Sequence, residues 1–182
     1  MEELIEAMLA LSRVSQADLV AGPVDVTAIA TRILDDLKEH DAARRCECEV
    51  EPGLAVWGDA RLFEAALTNL LSNAWKFTGG REPSRIAVGS VGGDALMDTL
   101  FVRDNGAGFD AAGAKRLFSP FHRMHSDHEF PGTGIGLATV RRVIERHGGS
   151  VWAESAPGQG ATFYSAVPRA ASEDEAPAAA DA

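Results

Sequence analysis

The chain has 182 residues, 46% of them hydrophobic, which is enough for one packed domain with short appendages. Its formal net charge of −10 and pI near 4.9 exclude a nucleic-acid surface, which needs a basic stripe to displace counterions from phosphates. No run approaches the ~18 apolar residues of a membrane span and no signal peptide opens the chain, so a cytoplasmic protein without membrane contact is expected, or the cytoplasmic end of something longer.

Residues 1–19, "MEELIEAMLALSRVSQADL", place Leu4, Ile5, Met8, Leu9 and Leu11 on one helical arc, a stripe that needs a partner helix. After "AGPVDV" a second amphipathic helix is predicted from about Thr27 to Arg44, followed by strand-like alternation through Val50 and a short strand at "LAVWG". Within that alternation Cys46 and Cys48 share a strand face at a spacing of roughly 6.5 Å, poor for a disulfide, and read as reduced thiols; with no further Cys, zinc is not expected. Asp59 is the expected N-cap of the next helix, which reaches about Phe77. "RIAVGSV" and "LMDTLFVRD" are predicted strands joined by a Gly-Gly-Asp turn. "DNGAGFD" then leads to a short helix and an irregular segment from about Phe118 to Pro131. A helix follows the glycines of "GTGIG" and ends at Gly148 and Gly149, and strands "SVWAES" and "ATFYSAV" flank the turn "APGQG". From about Ala170 the Ala, Glu, Asp and Pro content predicts a disordered acidic tail. The order of elements implies a two-layer α/β sandwich preceded by one amphipathic helix, with boundaries at 1–20, 21–169 and 170–182.

Three segments carry chemistry. The helix "DARLFEAALTNLLSNAWKF" has a core face of Phe63, Ala66, Leu67, Leu70, Leu71 and Ala74, bordered at i, i+4 and i+7 by Asn69, Asn73 and Lys76. Asparagine is an indifferent helix former, so two in mid-helix require a reason. Solvation or local packing is one; an amide oxygen offered to Mg²⁺, with Lys76 adding a positive point charge, is the other. In "FVRDNGAGFD" a strand delivers Asp104 into a turn; a carboxylate there either closes the loop or accepts from the exocyclic amine of adenine, which favours ATP over GTP. Gly132, Gly134 and Gly136 precede a helix, yet Leu137 or Thr139 stands where a Rossmann fingerprint needs its third glycine. No Gly-Lys pair supplies a Walker A loop either.

Taken together, these segments resemble sensor histidine kinases. "NLLSNAWKFT" is similar to the N box, "DNGAGFD" to the G1 box, "LFSPFHR" to the F box and "GTGIGLA" to the G2 box, in the order and approximate spacing of that family, from about Pro23 to Val167. The boxes belong to the Bergerat-fold ATPases, and the resemblance implies ATP and Mg²⁺. It places Mg²⁺ on Asn73, phosphate on Lys76 and adenine against Phe77. Asp104 takes the adenine amine, and Gly106 and Gly108 line the base pocket. Arg123 neutralises the γ-phosphate as the lid arginine, while Gly132, Thr133, Gly134, Gly136 and Leu137 form the lid and aim a helix N-terminus at the triphosphate. Asn69 stands where hydrolytic members of the superfamily place a water-activating glutamate.

Residues 1–20 resemble the end of a dimerisation and phosphoacceptor hairpin. The family's acceptor is a His followed by an acidic residue, with Pro five positions after the His; none of the five histidines satisfies this. His40 precedes Asp41 but lacks the Pro, and His128 has its Pro at the wrong distance, inside the lid. The spacing of His122, His125 and His128 reads as a polar lid rather than a metal site. The resemblance therefore implies a protein-histidine kinase catalytic domain whose partners are an acceptor hairpin and a response regulator, with a homodimer when full length. A hydrolytic ATPase, an anti-sigma serine kinase and a non-enzymatic nucleotide-binding module are the competing expectations.

Overall fold

A computed structural model describes residues 18–93, 96–110, 116–122 and 132–169. The predicted first helix, the acidic tail, Arg123, His125 and His128 lie outside the described residues. Seven strands and three helices are described: β1 (Gly22–Asp25), α1 (Val26–His40), β2 (Cys46–Val50), β3 (Ala55–Gly58), α2 (Ala60–Phe77), β4 (Ser84–Gly93), β5 (Met97–Asp104), α3 (Gly136–Arg146), β6 (Ser150–Ser155) and β7 (Ala161–Pro168). Five strands form one sheet in the order β2-β4-β5-β7-β6, antiparallel except for the parallel β2–β4 pair, and β1 pairs with β3 in a separate antiparallel ribbon.

The sheet buries one face. Along β7 every second residue, Ala161, Phe163, Ser165 and Val167, is buried, and Leu100 and Val102 of β5 with Ile86 and Val88 of β4 continue that layer. Helix α2 lies on it with Leu62, Phe63, Ala66, Leu67, Leu70, Leu71, Ala74 and Trp75 buried, which includes the whole core face read from the sequence. Each large apolar side chain hidden this way contributes about 1.5–3 kcal/mol. α1 adds Ala30, Ile33 and Leu34, and α3 adds Val140, Val143 and Ile144 to the same core. The result is the predicted two-layer α/β sandwich.

Asp59 caps α2 as expected. Its carboxylate accepts from the Arg61 N–H at 3.0 Å, the Arg61 guanidinium at 2.9 Å and the Val20 N–H at 3.1 Å. The Arg61 hydrogen bond, aided by the backbone donors, holds this buried carboxyl well below the ordinary carboxylate range. From the same residue, the Asp59 N–H donates to His147 Nε2 at 3.0 Å, while His147 Nδ1 lies 2.7 Å from the Val143 carbonyl. Since Nε2 accepts, Nδ1 carries the proton, and one neutral imidazole ties the end of α3 to the start of α2.

Two elements differ from the sequence reading. "AGPVDV" contains strand β1, whose four residues pair with β3 from Gly22↔Gly58 to Asp25↔Ala55. α1 begins one residue earlier, capped by the Asp25 carboxylate on the Ala28 N–H at 2.8 Å. It ends at His40 rather than near Arg44, because Asp41 leaves helical geometry and a turn brings Arg44 back over the Trp75 ring, 4.5 Å from its centroid.

Candidate functional site

Between α2, the end of β5, the start of α3 and residues 117–122 lies a cavity of about 220 Å³. Asn69, Asn73, Lys76, Phe77, Asp104, Gly108, Gly132, Thr133, Gly134, Gly136 and Leu137 all line it. Gly106 sits behind this wall, against the Phe77 carbonyl and Asp104. The structure thus brings together every candidate residue among the described ones. His122, read from the sequence as part of a polar lid, and Phe109, Leu117, Ala161 and Phe163, to which the sequence assigned no role, complete the lining.

The α2 wall is built by helical spacing. Asn69 donates through Nδ2 to the Ala65 carbonyl at 2.8 Å, which leaves its Oδ1 turned toward α3. A methyl group on Gly136 would lie 2.6 Å from that oxygen, so a side chain at the first residue of α3 would displace the Asn69 amide. Among the described residues no side chain caps the start of α3, whose residue before the helix is Ile135. Lys76 Nζ lies 4.4 Å from the centroid of the Phe77 ring.

Asp104 forms the floor. It is 6% exposed, and Oδ1 accepts from the Gly106 N–H at 2.8 Å. Burial pushes its carboxyl up to about 6, opposed by backbone donors from Gly106 and Ala161. The loop after it is held from three sides. The Ala107 N–H donates to the Phe77 carbonyl at 3.1 Å, and the Gly158 N–H to the Ala107 carbonyl at 2.6 Å. Arg81 Nη2 donates to the Gly106 carbonyl at 3.1 Å and also to the Gly158 carbonyl. Gly108 has φ +64° and presses on the Ala156 carbonyl oxygen, a position no side chain can occupy. On the opposite wall, the Phe121 N–H donates to the Gly134 carbonyl at 3.0 Å, and Phe121 itself adopts φ 63°, a strained conformation for an aromatic residue. His122 Nδ1 is buried with no hydrogen-bond partner among the described residues.

The pocket thus has a buried carboxylate at its base and helical amides along its edge. Residues 58–171 match the family of histidine kinase-, DNA gyrase B- and HSP90-like ATPases, and the chain belongs to that family. Membership implies ATP binding. The chain is 34% identical over 168 residues to the phytochrome-like protein Cph1 of Synechocystis sp., covering 92% of this chain and 22% of that protein. It is likewise 34% identical over 174 residues to the methanogenesis regulatory histidine kinase FilI of Methanothrix harundinacea, covering 92% and 19%. Among solved structures, the mycobacterial sensor histidine kinase MprB superposes with a TM-score of 0.69 at 27% identity, covering 82% of this chain and all of that one. Full-length ShkA, solved with AMPPNP, gives 0.75 at 26%, covering 93% and 36%. The chain spans about a fifth of the length of these curated relatives. Among the described residues no helix is long and apolar enough to cross a membrane.

Proposed function

We propose that this chain is the ATP-binding catalytic domain of a sensor histidine kinase in two-component signalling. The convergence of Asn69, Asn73, Lys76, Asp104, Gly132, Thr133, Gly134, Gly136 and Leu137 on one cavity carries the reading. The donor set fits a magnesium nucleotide. Among the described residues Asp104 is the only acidic side chain lining the cavity, so a cation at its mouth would rest on neutral amide oxygen and on the nucleotide's own phosphates. His122 Nδ1, buried and without a hydrogen-bond partner among the described residues, is a polar atom that a ligand can satisfy.

Asp104 would accept the adenine amine, with Phe77 beside the base and Gly106 and Gly108 keeping side chains out of its way. Asn73 would hold Mg²⁺, which neutralises phosphate charge when bound. Lys76 and the first N–H groups of α3 would contact the phosphates, and Arg123 would neutralise the γ-phosphate. The acceptor imidazole of a dimerisation hairpin is a nucleophile in its own right. The reaction therefore depends on positioning and charge neutralisation, and Asn69, which cannot take a proton as a carboxylate does, disfavours attack by water. The partner set follows: an acceptor hairpin, to which residues 1–20 would contribute, a response regulator downstream, and a homodimer when full length, either cytoplasmic or tethered to a membrane with this domain in the cytoplasm.

Incubation with γ-labelled ATP tests this. The chain alone should release phosphate slowly and carry no acid-labile label, and label should appear on an added hairpin bearing a His-acid acceptor. Label on any of the chain's own five histidines, or rapid phosphate release, would overturn the assignment.

A further inference from the structure

Strand β2 carries two thiols that the nucleotide site does not use. Cys46 and Cys48 stand two residues apart in an extended strand, so both leave the same face, where they pack against the hydrophobic core. They are the chain's only cysteines, both reduced and half-buried, with Sγ atoms 3.6 Å apart. β2 is an edge strand of the five-stranded sheet, and its pairing with β4, from Cys46↔Ser84 to Cys48↔Ile86, fixes it in the extended form. On the opposite face, Glu47 is bound to Arg85 at 2.7 Å, which further anchors the residue between them. Burial, reinforced by the neighbouring Cys48 thiol, pushes the Cys46 thiol up to about 12, against the opposing charges of Arg44 and Lys38. Such a thiol is a poor nucleophile toward reagents that need a thiolate.

We propose that Cys46 and Cys48 form a bidentate site for a trivalent arsenical. The sulfur separation selects this ligand class. A disulfide needs its sulfurs at about 2.0 Å, which the extended strand cannot reach without backbone movement. Tetrahedral zinc needs four ligands, and among the described residues no group of three His, Cys, Asp or Glu side chains is placed to hold a metal. A trivalent arsenic with one organic substituent needs only two sulfurs. With bonds about as long as zinc–thiolate bonds, about 2.3 Å, meeting at a pyramidal angle, it spans sulfurs roughly 3.4 Å apart. The thiols at 3.6 Å are already at that bite, so little ordering cost remains.

The chemistry closes without an oxidant. Each S–H gives its proton to the oxygen on arsenic, two arsenic–sulfur bonds form, the arsenic–oxygen bond breaks and one water leaves. Arsenic stays trivalent and both sulfurs stay at the thiol oxidation level. No free thiolate has to accumulate, so the high-lying Cys46 thiol does not bar the reaction. Half-burial leaves the third substituent a path to solvent.

The test is stoichiometric phenylarsine oxide added to the reduced chain, followed by thiol titration and intact mass. Titratable thiols should fall from two to none, with a mass gain of one phenylarsenic group. A dithiol such as 2,3-dimercaptopropanol should restore both thiols, whereas a tenfold excess of glutathione should not. Cys46→Ser and Cys48→Ser should each bind at least a hundredfold more weakly, because the second bond is then lost as an intramolecular event. ATP affinity should be unchanged by the adduct. A thiol left titratable at one equivalent, displacement of the adduct by glutathione, or either single variant binding as tightly as the parent chain would refute the site.

Discussion

Protonation of Asp104 should separate nucleotide affinity from stability, with opposite signs. Its carboxyl is pushed up from the ordinary 3.8 to about 6 by burial, and only the ionised form offers adenine's amine an acceptor on both oxygens. The ionised fraction falls from about nine-tenths at pH 7 to about one-tenth at pH 5, a tenfold loss of affinity or about 1.4 kcal/mol. Stability moves the other way. A carboxyl that is easier to protonate in the folded chain favours folding below about pH 4. That contribution is lost as pH rises through about 6, leaving a cost of about 3 kcal/mol above it. Asp104→Asn keeps an oxygen for the Gly106 N–H and cannot ionise. It should bind ATP about tenfold to a hundredfold more weakly at pH 7, in line with the ~1.5–3 kcal/mol of a hydrogen bond to a charged group. It should also unfold at higher denaturant than the parent chain at pH 8, the gain vanishing near pH 4. Calorimetric titration of both proteins at pH 5 and pH 7 is the assay, since their affinity ratio cancels the titration of ATP's own phosphates. A ratio constant across that range, or equal binding of ATP and GTP by the parent chain, would refute the role assigned to this carboxylate.

Asn73→Ala should abolish the Mg²⁺ dependence of ATP binding, so that calorimetry with and without Mg²⁺ gives the same weakened affinity. Gly136→Ala forces a methyl group to within 2.6 Å of Asn69 Oδ1. At the ~1–3 kcal/mol typical of overpacking, nucleotide affinity should fall about tenfold or more in fluorescence titration, and Gly136→Ala with Asn69→Ala should recover part of it. Arg81→Ala removes the guanidinium from the Gly106 and Gly158 carbonyls and should cost about 1 kcal/mol of ATP affinity, given the exposure of Arg81. ATP-over-GTP preference should fall with it, and Arg81→Lys should restore part of both.

Helical periodicity exposed the core face of α2, because burial repeats every 3.6 residues and nothing non-local is needed to see it. The same helix placed Asn69, Asn73 and Lys76 on one side, and the structure sets all three on the cavity. Asp59 was legible as a cap for an equally local reason. Strand β1 was not, since four residues containing Gly22 and Pro23 carry no usable period and take their form from β3, thirty or more residues onward. Arg81 was hidden more deeply. An arginine in a Gly- and Pro-rich stretch reads as solvated, and its acceptors lie 25 and 77 residues away in the chain. His122 joined the lining through the turn that ties Phe121 to Gly134, a contact that no motif spacing encodes.

The imidazole of His147 works as a fulcrum. It clamps the last turn of α3 to the first peptide of α2, packs against Phe63 with ring centroids 4.6 Å apart and planes tilted by 45°, and does so at the end of α3 farthest from the cavity. A helix held at that end resists sliding along the sheet, and any tilt about it grows toward Gly136. A ligand drawing on the N–H groups there would displace residues 132–136 further than residues 143–147, with the far end of the helix as the fixed point.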